Sequence, residues 1–306
     1  MKRRNQYSRN SEIYSIVNCM KKYLIFMIMV FVSSLVMAQA AGGTISRTPP
    51  KQFHNKIRSE ANSETLSPLD RKKIIEKILN NLVFVEGGSF IMGATVQIGT
   101  IDYSKSKPEH QVTVSSYYIG KYEVTQEEWQ VIMGRNPSKF KGRKRPVENI
   151  SWEDCQIFIS KLNEITGKQF RLPTEAEWEF AARGGNKSKG YTYSGSNTPS
   201  DVAWYGANTT SIVGKKKPNE LGIFDMSGNV WEWCQDWFEA YNITPQTDPK
   251  GPSSGTSRVC RSGCWSLRFV GCTVFNRSDQ VPSYTGGSGA YGLRLALSIP
   301  SRGSIK

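Results

Sequence analysis

The chain has 306 residues, with 40 Lys and Arg against 26 Asp and Glu for a formal net charge of +14, and 38% of it is hydrophobic. That length suits one large domain better than two well-filled ones. The basic excess excludes less than it suggests: +5 of it lies before Ala41, and the rest forms no cluster interleaved with aromatics, so a nucleic-acid partner is not expected.

Lys21 and Lys22, the apolar run 23–37 and then Ala38, Gln39 and Ala40 have the three regions of a secretory signal peptide. Residues 1–40 are therefore expected to be a signal-peptide region, with Met20 a candidate true start. The run is short of the ~20 apolar residues a span needs, so no membrane span is expected after signal cleavage. Cys19 precedes the apolar run, which is the wrong side for a lipoprotein cysteine. Export to the periplasm, cell surface or exterior follows. Residues 41–66, rich in Ser, Pro, Asn and charge, are expected to be a flexible linker, leaving 67–306 as the domain.

In residues 68–82 the spacing of Leu69, Ile74, Ile75, Ile78, Leu79 and Leu82 predicts a lead-in helix, with Ser67 as N-cap and Pro68 in the first turn. "LVFVEGGSFIMG" then predicts strand, turn, strand, with Gly87 and Gly88 at the turn. Three further helices are expected over 125–133, 151–166 and 174–183. Each opens on a hydroxyl residue with a carboxylate three positions on: Thr125 and Glu128, Ser151 and Asp154, Thr174 and Glu177. Gly134 and Gly167 are natural stops for the first two. The acid pairs at Glu127 with Glu128 and at Glu175 with Glu177 are expected on solvated helix starts. Beyond Gly184 the chain predicts loops and short strands pinned by Trp204, Trp231, Trp233, Trp237 and Trp265. The fold class is α+β, with many ordered loops.

Side-chain chemistry is sparse. With only His54 and His110, neither a three-histidine iron site nor a supported Ser/His/Asp system can be assembled. Cleavage of the signal leaves five cysteines, an odd number; a bridge between Cys234 and Cys272 is one arrangement, and buried inert thiols are another.

"YYIGKYEVTQEEWQVIMG", "RPVENISWEDCQIFISKLN", "FRLPTEAEWEFAARGG", "LGIFDMSGNVWEWCQDW" and "RVCRSGCW" with "GLRL" succeed one another along the chain. Together these blocks resemble the formylglycine-generating enzyme, or sulfatase-modifying factor, family. That resemblance implies a loop-rich variant of the C-type lectin fold. It also implies a Ca²⁺ site on Asp225, Gly228, Val230 and Glu232: two carboxylates and two backbone carbonyls, the hard oxygen donors this ion takes. The family's oxidase chemistry uses Cu(I) on two cysteines, two and seven positions after the tryptophan of the last block. Counting from Trp265 gives Leu267 and Cys272, so the first thiolate is missing and Cys272 is a catalytic candidate only if the protein is an oxidase. Cys264 stands at the family's serine position and is the alternative source of the missing thiolate, from a different place on the strand.

The last forty residues keep the framework but carry a miscellany at Cys260, Ser262, Cys264, Ser266 to Val270 and onward to Thr285. This resembles the variable proteins of diversity-generating retroelements, in which template adenines are randomised. A ligand-binding face is expected on Cys264, Trp265, Leu267, Arg268, Phe269, Phe275, Tyr284 and Tyr291, since rigid aromatics and Arg give contact area at low entropic cost. The expected function is exported, non-catalytic binding of a protein or surface ligand. The alternatives are a formylglycine-generating oxidase acting on an acceptor cysteine, and a structural component of a surface or motility complex.

Overall fold

The computed structural model describes residues 67–100 and 102–299; the expected signal-peptide region, 1–40, and linker, 41–66, lie outside the described residues. The lead-in helix α1 spans Pro68–Asn80, with the Ser67 hydroxyl accepting from the Asp70 N–H at 3.2 Å and Ile74 and Ile78 on its buried face. Three further helices follow: α2 over Gln126–Met133, α3 over Trp152–Thr166 and α4 over Glu175–Ala182. Each opens with the reciprocal hydroxyl and carboxylate cap expected of it. Gly134 and Gly167 end α2 and α3 in the left-handed region, at φ 77 and 63. A short helix, α5, covers Pro199–Val202. Among the described residues no helix is long and apolar enough to cross a membrane.

The strands in chain order are β1 Leu82–Val85, β2 Gly88–Met92, β3 His110–Val114, β4 Tyr117–Gly120, β5 Phe170–Arg171, β6 Trp231–Trp237, β7 Gln246–Thr247, β8 Arg258–Arg261, β9 Ser278–Gln280, β10 Tyr291–Gly292 and β11 Ala296–Ser298. They make three small sheets, ordered β1-β4-β11-β5, β10-β6-β8-β9 and β2-β3-β7. The strands flanking Gly87 do not pair with each other: β1 joins β4, and β2 joins β3 in a different sheet. Gly87 is needed at that parting, because a Cβ there would meet the Val114 carbonyl oxygen at 2.6 Å.

Two apolar cores result. One gathers α1, α2 and α3 around Trp129, Phe158, Leu162 and Trp233; Trp129 and Phe158 stack with ring centroids 4.9 Å apart. The other packs α4 through Trp178 and Phe180 against Tyr117, Ile119, Val259 and Phe275. The acid pairs depart from expectation. Glu128, Glu175 and Glu177 are buried, at 6%, 4% and 9% exposure: Glu128 caps α2 and pairs with Lys77, while the strand-borne Arg261 and Arg171 and the loop residue Arg277 pair with the carboxylates of α4.

Candidate functional site

The segment expected to carry the binding face divides by burial. Ser266 and Arg268 are exposed, Trp265, Leu267 and Phe269 are half-buried, and Tyr284 is 39% exposed. Hydrogen bonds fix this loop to the scaffold. The Trp265 N–H donates to the Asn229 carbonyl, the Trp265 indole to the Gly289 carbonyl at 2.7 Å, and Leu267 accepts at its carbonyl from the Gly206 N–H. Phe140 meets Trp265 edge-on at 5.1 Å, and Tyr205 meets Phe269 at 6.1 Å. Neither Phe140 nor Tyr205 was among the residues the sequence pointed to, since each lies far from the variable segment along the chain.

Three expected members lie inward. Phe275 has no exposure and packs edge-on against Tyr103 at 5.1 Å, so it belongs to the core and not to the face. Tyr291 is 8% exposed, in register with Trp231 and edge-on beneath Tyr284 at 5.3 Å. Cys264 is 3% exposed, with its sulfur 3.3 Å from the Ser266 hydroxyl. Of the wider miscellany, Cys260, Ser262 and Thr273 are also fully buried. Residue type alone could not separate these from the exposed positions.

The described cysteines, Cys155, Cys234, Cys260, Cys264 and Cys272, are free thiols, all buried. The Cys234–Cys272 bridge is not formed. Cys234 lies among Glu175, Asp236, Arg261 and Cys260, whereas the neighbour of Cys272 is Cys264. Burial pushes the Cys272 thiol far up, with Cys264 adding to it, which disfavours the thiolate form. Leu267, in place of the first family cysteine, packs over Gly271 beside it.

Behind the face is a buried charge cluster. The stretch from Asp225 to Asn229 curls through left-handed conformations at Asp225 (φ 59), Gly228 (φ 86) and Asn229 (φ 61). A Cβ at Gly228 would collide with the Trp204 carbonyl. Asp225 Oδ2 accepts from the Gly214 N–H at 2.6 Å, and the Gly228 carbonyl accepts from the Ser262 hydroxyl at 2.9 Å. Glu232, on β6, has no exposure. Its Oε1 lies 2.7 Å from Arg294 Nη2, and its Oε2 accepts from Arg294 Nε at 2.9 Å and the Trp178 indole at 2.6 Å. Parallel pairing of β10 with β6 brings Gly292 opposite Glu232, which sets Arg294 two residues further on in reach.

A third carboxylate completes the cluster. Glu123, 1% exposed, accepts from Asn229 Nδ2 at 2.6 Å and the Val230 N–H at 3.2 Å. Burial raises Glu123 well above the ordinary carboxylate range, helped by Asp225 and Glu232; burial likewise pushes Asp225 up to about 6. Glu123 was missed by sequence reasoning, although it sits in the quoted "YEVT", and Arg294 stood unassigned in "GLRL".

The cluster sets three buried carboxylates against a single guanidinium, a negative excess that a bound cation would offset. Among the described residues no group of three or more His, Cys, Asp or Glu gathers as a metal site. The expected set supplies only two such side chains, and Glu232 would have to share its oxygens with Arg294.

A loop-rich α+β scaffold with a buried Trp, Glu and Arg framework beneath the 265–269 loop is the setting in which the family match falls. Residues 71–299 match the family described as sulfatase-modifying factor enzyme 1-like domain, and the chain belongs to that family. It is 38% identical over 241 residues to chaperone protein LppX of Paenibacillus barcinonensis, covering 61% of this chain and 79% of that protein. To the formylglycine-generating enzyme of Streptomyces coelicolor it is 36% identical over 171 residues, 49% of this chain and 52% of the enzyme. The chain thus spans about half of that enzyme's length. It spans 39% of the serine/threonine-protein kinase pkn1 of Chlamydia pneumoniae. Among solved structures, Treponema denticola variable protein 1 superposes with a TM-score of 0.64 at 34% identity, covering 71% of this chain and 95% of that one. PvdO from Pseudomonas aeruginosa gives 0.60 at 27% identity, over 71% and 94%.

Proposed function

We propose that the protein is an exported binding protein on a formylglycine-generating-enzyme scaffold, non-catalytic, with its ligand face on the loop from Trp265 to Phe269 together with Tyr284. The observation that carries this reading is the pair at the family's copper positions: Leu267 has no sulfur, and Cys272 is a buried, neutral thiol. Soft thiolates are what would hold Cu(I) there, and with Leu267 at the first position the family's pair of thiolates is not assembled. Meanwhile the positions that face solvent are the ones the miscellany fills with Ser266, Arg268 and Tyr284.

Likeness to a solved variable protein supports diversification of the C-terminal segment by a retroelement, and likeness to a chaperone-named protein favours a protein ligand. Binding would rest on the half-exposed aromatics and Arg268, with Phe140 and Tyr205 bracing the loop from below. Asp225, Gly228, Val230 and Glu232 would hold one Ca²⁺, which supplies fixed positive charge to the buried carboxylates and ties the 225–232 loop to the scaffold.

Cu(I) competition against a chromogenic chelator tests the reading. The expected result is that the protein withdraws no copper; stoichiometric withdrawal that is lost in Cys272→Ala would favour the oxidase.

A further inference from the structure

A cleft of about 80 Å³ opens between the first turn of α4, the end of β6 and the loops that follow it. It lies outside the loop and the charge cluster described above. Its inner wall is Asp236, 4% exposed, whose Oδ2 caps α4 by accepting from the Glu175 N–H at 3.0 Å. Among the described residues nothing donates to its other oxygen. Glu175 and Arg277 also line the cleft, but they are closed on each other by a two-point pair at 2.7 and 2.6 Å. Glu239 is exposed at the rim. Arg261 and the Tyr241 hydroxyl also reach Glu175, each at 3.0 Å, so Asp236 and Glu239 are the carboxylates left to a ligand, and no lysine lines the cleft.

His110 also lines the cleft, with its Nδ1 3.2 Å from the Pro108 carbonyl. Met92, Ala176, Pro249 and Pro252 supply apolar wall. A buried carboxyl at the end of an apolar-walled cleft suits a cation on an alkyl stem. Because helix capping leaves Asp236 a single open oxygen, the two-point fork of a guanidinium has no matching partner, whereas an ammonium donates to one oxygen and turns its remaining donors elsewhere.

We propose that this cleft is a second binding site, for a primary alkylammonium group, the side chain of a lysine presented by a partner. The proposal does not depend on the reading of the variable loop. Burial, with Glu175 and Glu177 adding to it and the Glu175 N–H and Arg277 opposing, pushes Asp236 up to about 8. Tyr241, His110 and Glu239 are the other titratable groups at the cleft, and Arg258 also acts on Asp236. An entering ammonium favours the carboxylate, so at neutral pH binding releases a proton to buffer.

Calorimetric titration of the full chain with Nα-acetyl-lysine methylamide tests this, with the norleucine analogue as control. The expected result is saturable binding with a heat that depends on buffer ionisation, no binding of the norleucine analogue, and at least about tenfold weaker binding to Asp236→Asn, which keeps the helix cap. Glu239→Lys, at an exposed position, is expected to weaken binding with the fold untouched. Absence of lysine-amide binding at millimolar concentration, equal binding of the control, or full binding by both variants would overturn the proposal.

Discussion

Glu232 and Arg294 form a fully enclosed ion pair, each without exposure, with both carboxylate oxygens within 3.2 Å of the guanidinium. The same Arg donates to the carbonyls of Gly120 and Phe224 at 2.8 and 2.9 Å, so one side chain joins β4, β6 and the residue that leads into the 225–232 stretch. Truncating it strands a buried carboxylate among two others. Arg294→Ala is expected to destabilise the fold by about 3–5 kcal/mol in urea unfolding, the range for breaking a buried pair from one side. A change below about 1 kcal/mol would show that the cluster is held by other means.

Calcium, if bound as proposed, offsets the negative excess of Glu123, Asp225 and Glu232. Adding Ca²⁺ to chelator-treated protein is expected to raise Tm, by about 2.7 kcal/mol of stability at a hundred times Kd. Asp225→Ala is expected to abolish the rise. An unchanged Tm in the wild type would remove the calcium assignment and leave the cluster relieved by protonation alone.

Asp236 gives a pH signature with a definite sign. Its folded-state pKa of about 8 lies above the ordinary 3.8, so between those values the folded form holds a proton that the unfolded form has released. Its contribution to stability therefore falls as pH rises through that window and is most favourable at the acidic end. Asp236→Asn lacks this dependence. Its Tm relative to wild type is expected to increase from pH 5 toward pH 8; a constant difference across that range would contradict the assignment.

Face and core positions of the C-terminal segment separate by stability. Phe275→Ala is expected to cost about 3–5 kcal/mol, because the ring is fully buried against Tyr103. Arg268→Ala, at an exposed position, is expected to stay within about 0.5 kcal/mol of wild type. Comparable losses in the two variants would mean that the loop is part of the core.

The helix caps were legible in the sequence because a hydroxyl and a carboxylate three residues apart carry their own local geometry, and all three boxes formed. Sheet membership was not. The strands on either side of Gly87 are neighbours in sequence and go to different sheets, a choice made by distant partners at Tyr117–Gly120 and His110–Val114. The acids of α4 read as solvated for the same reason: Arg261 and Arg277, which bury Glu175, lie far downstream. At the candidate site Leu267 and Cys272 were placed by motif spacing, whereas Phe275 and Tyr291 needed three dimensions to be moved from face to interior.

Mass spectrometry of a cysteine-bearing acceptor peptide, after aerobic incubation with the purified, copper-supplied protein, bears most directly on the binding reading. With Leu267 lacking a sulfur and Cys272 buried and neutral, the cysteine is expected to remain intact. Conversion of that cysteine to an aldehyde, abolished in Cys272→Ala, would contradict it.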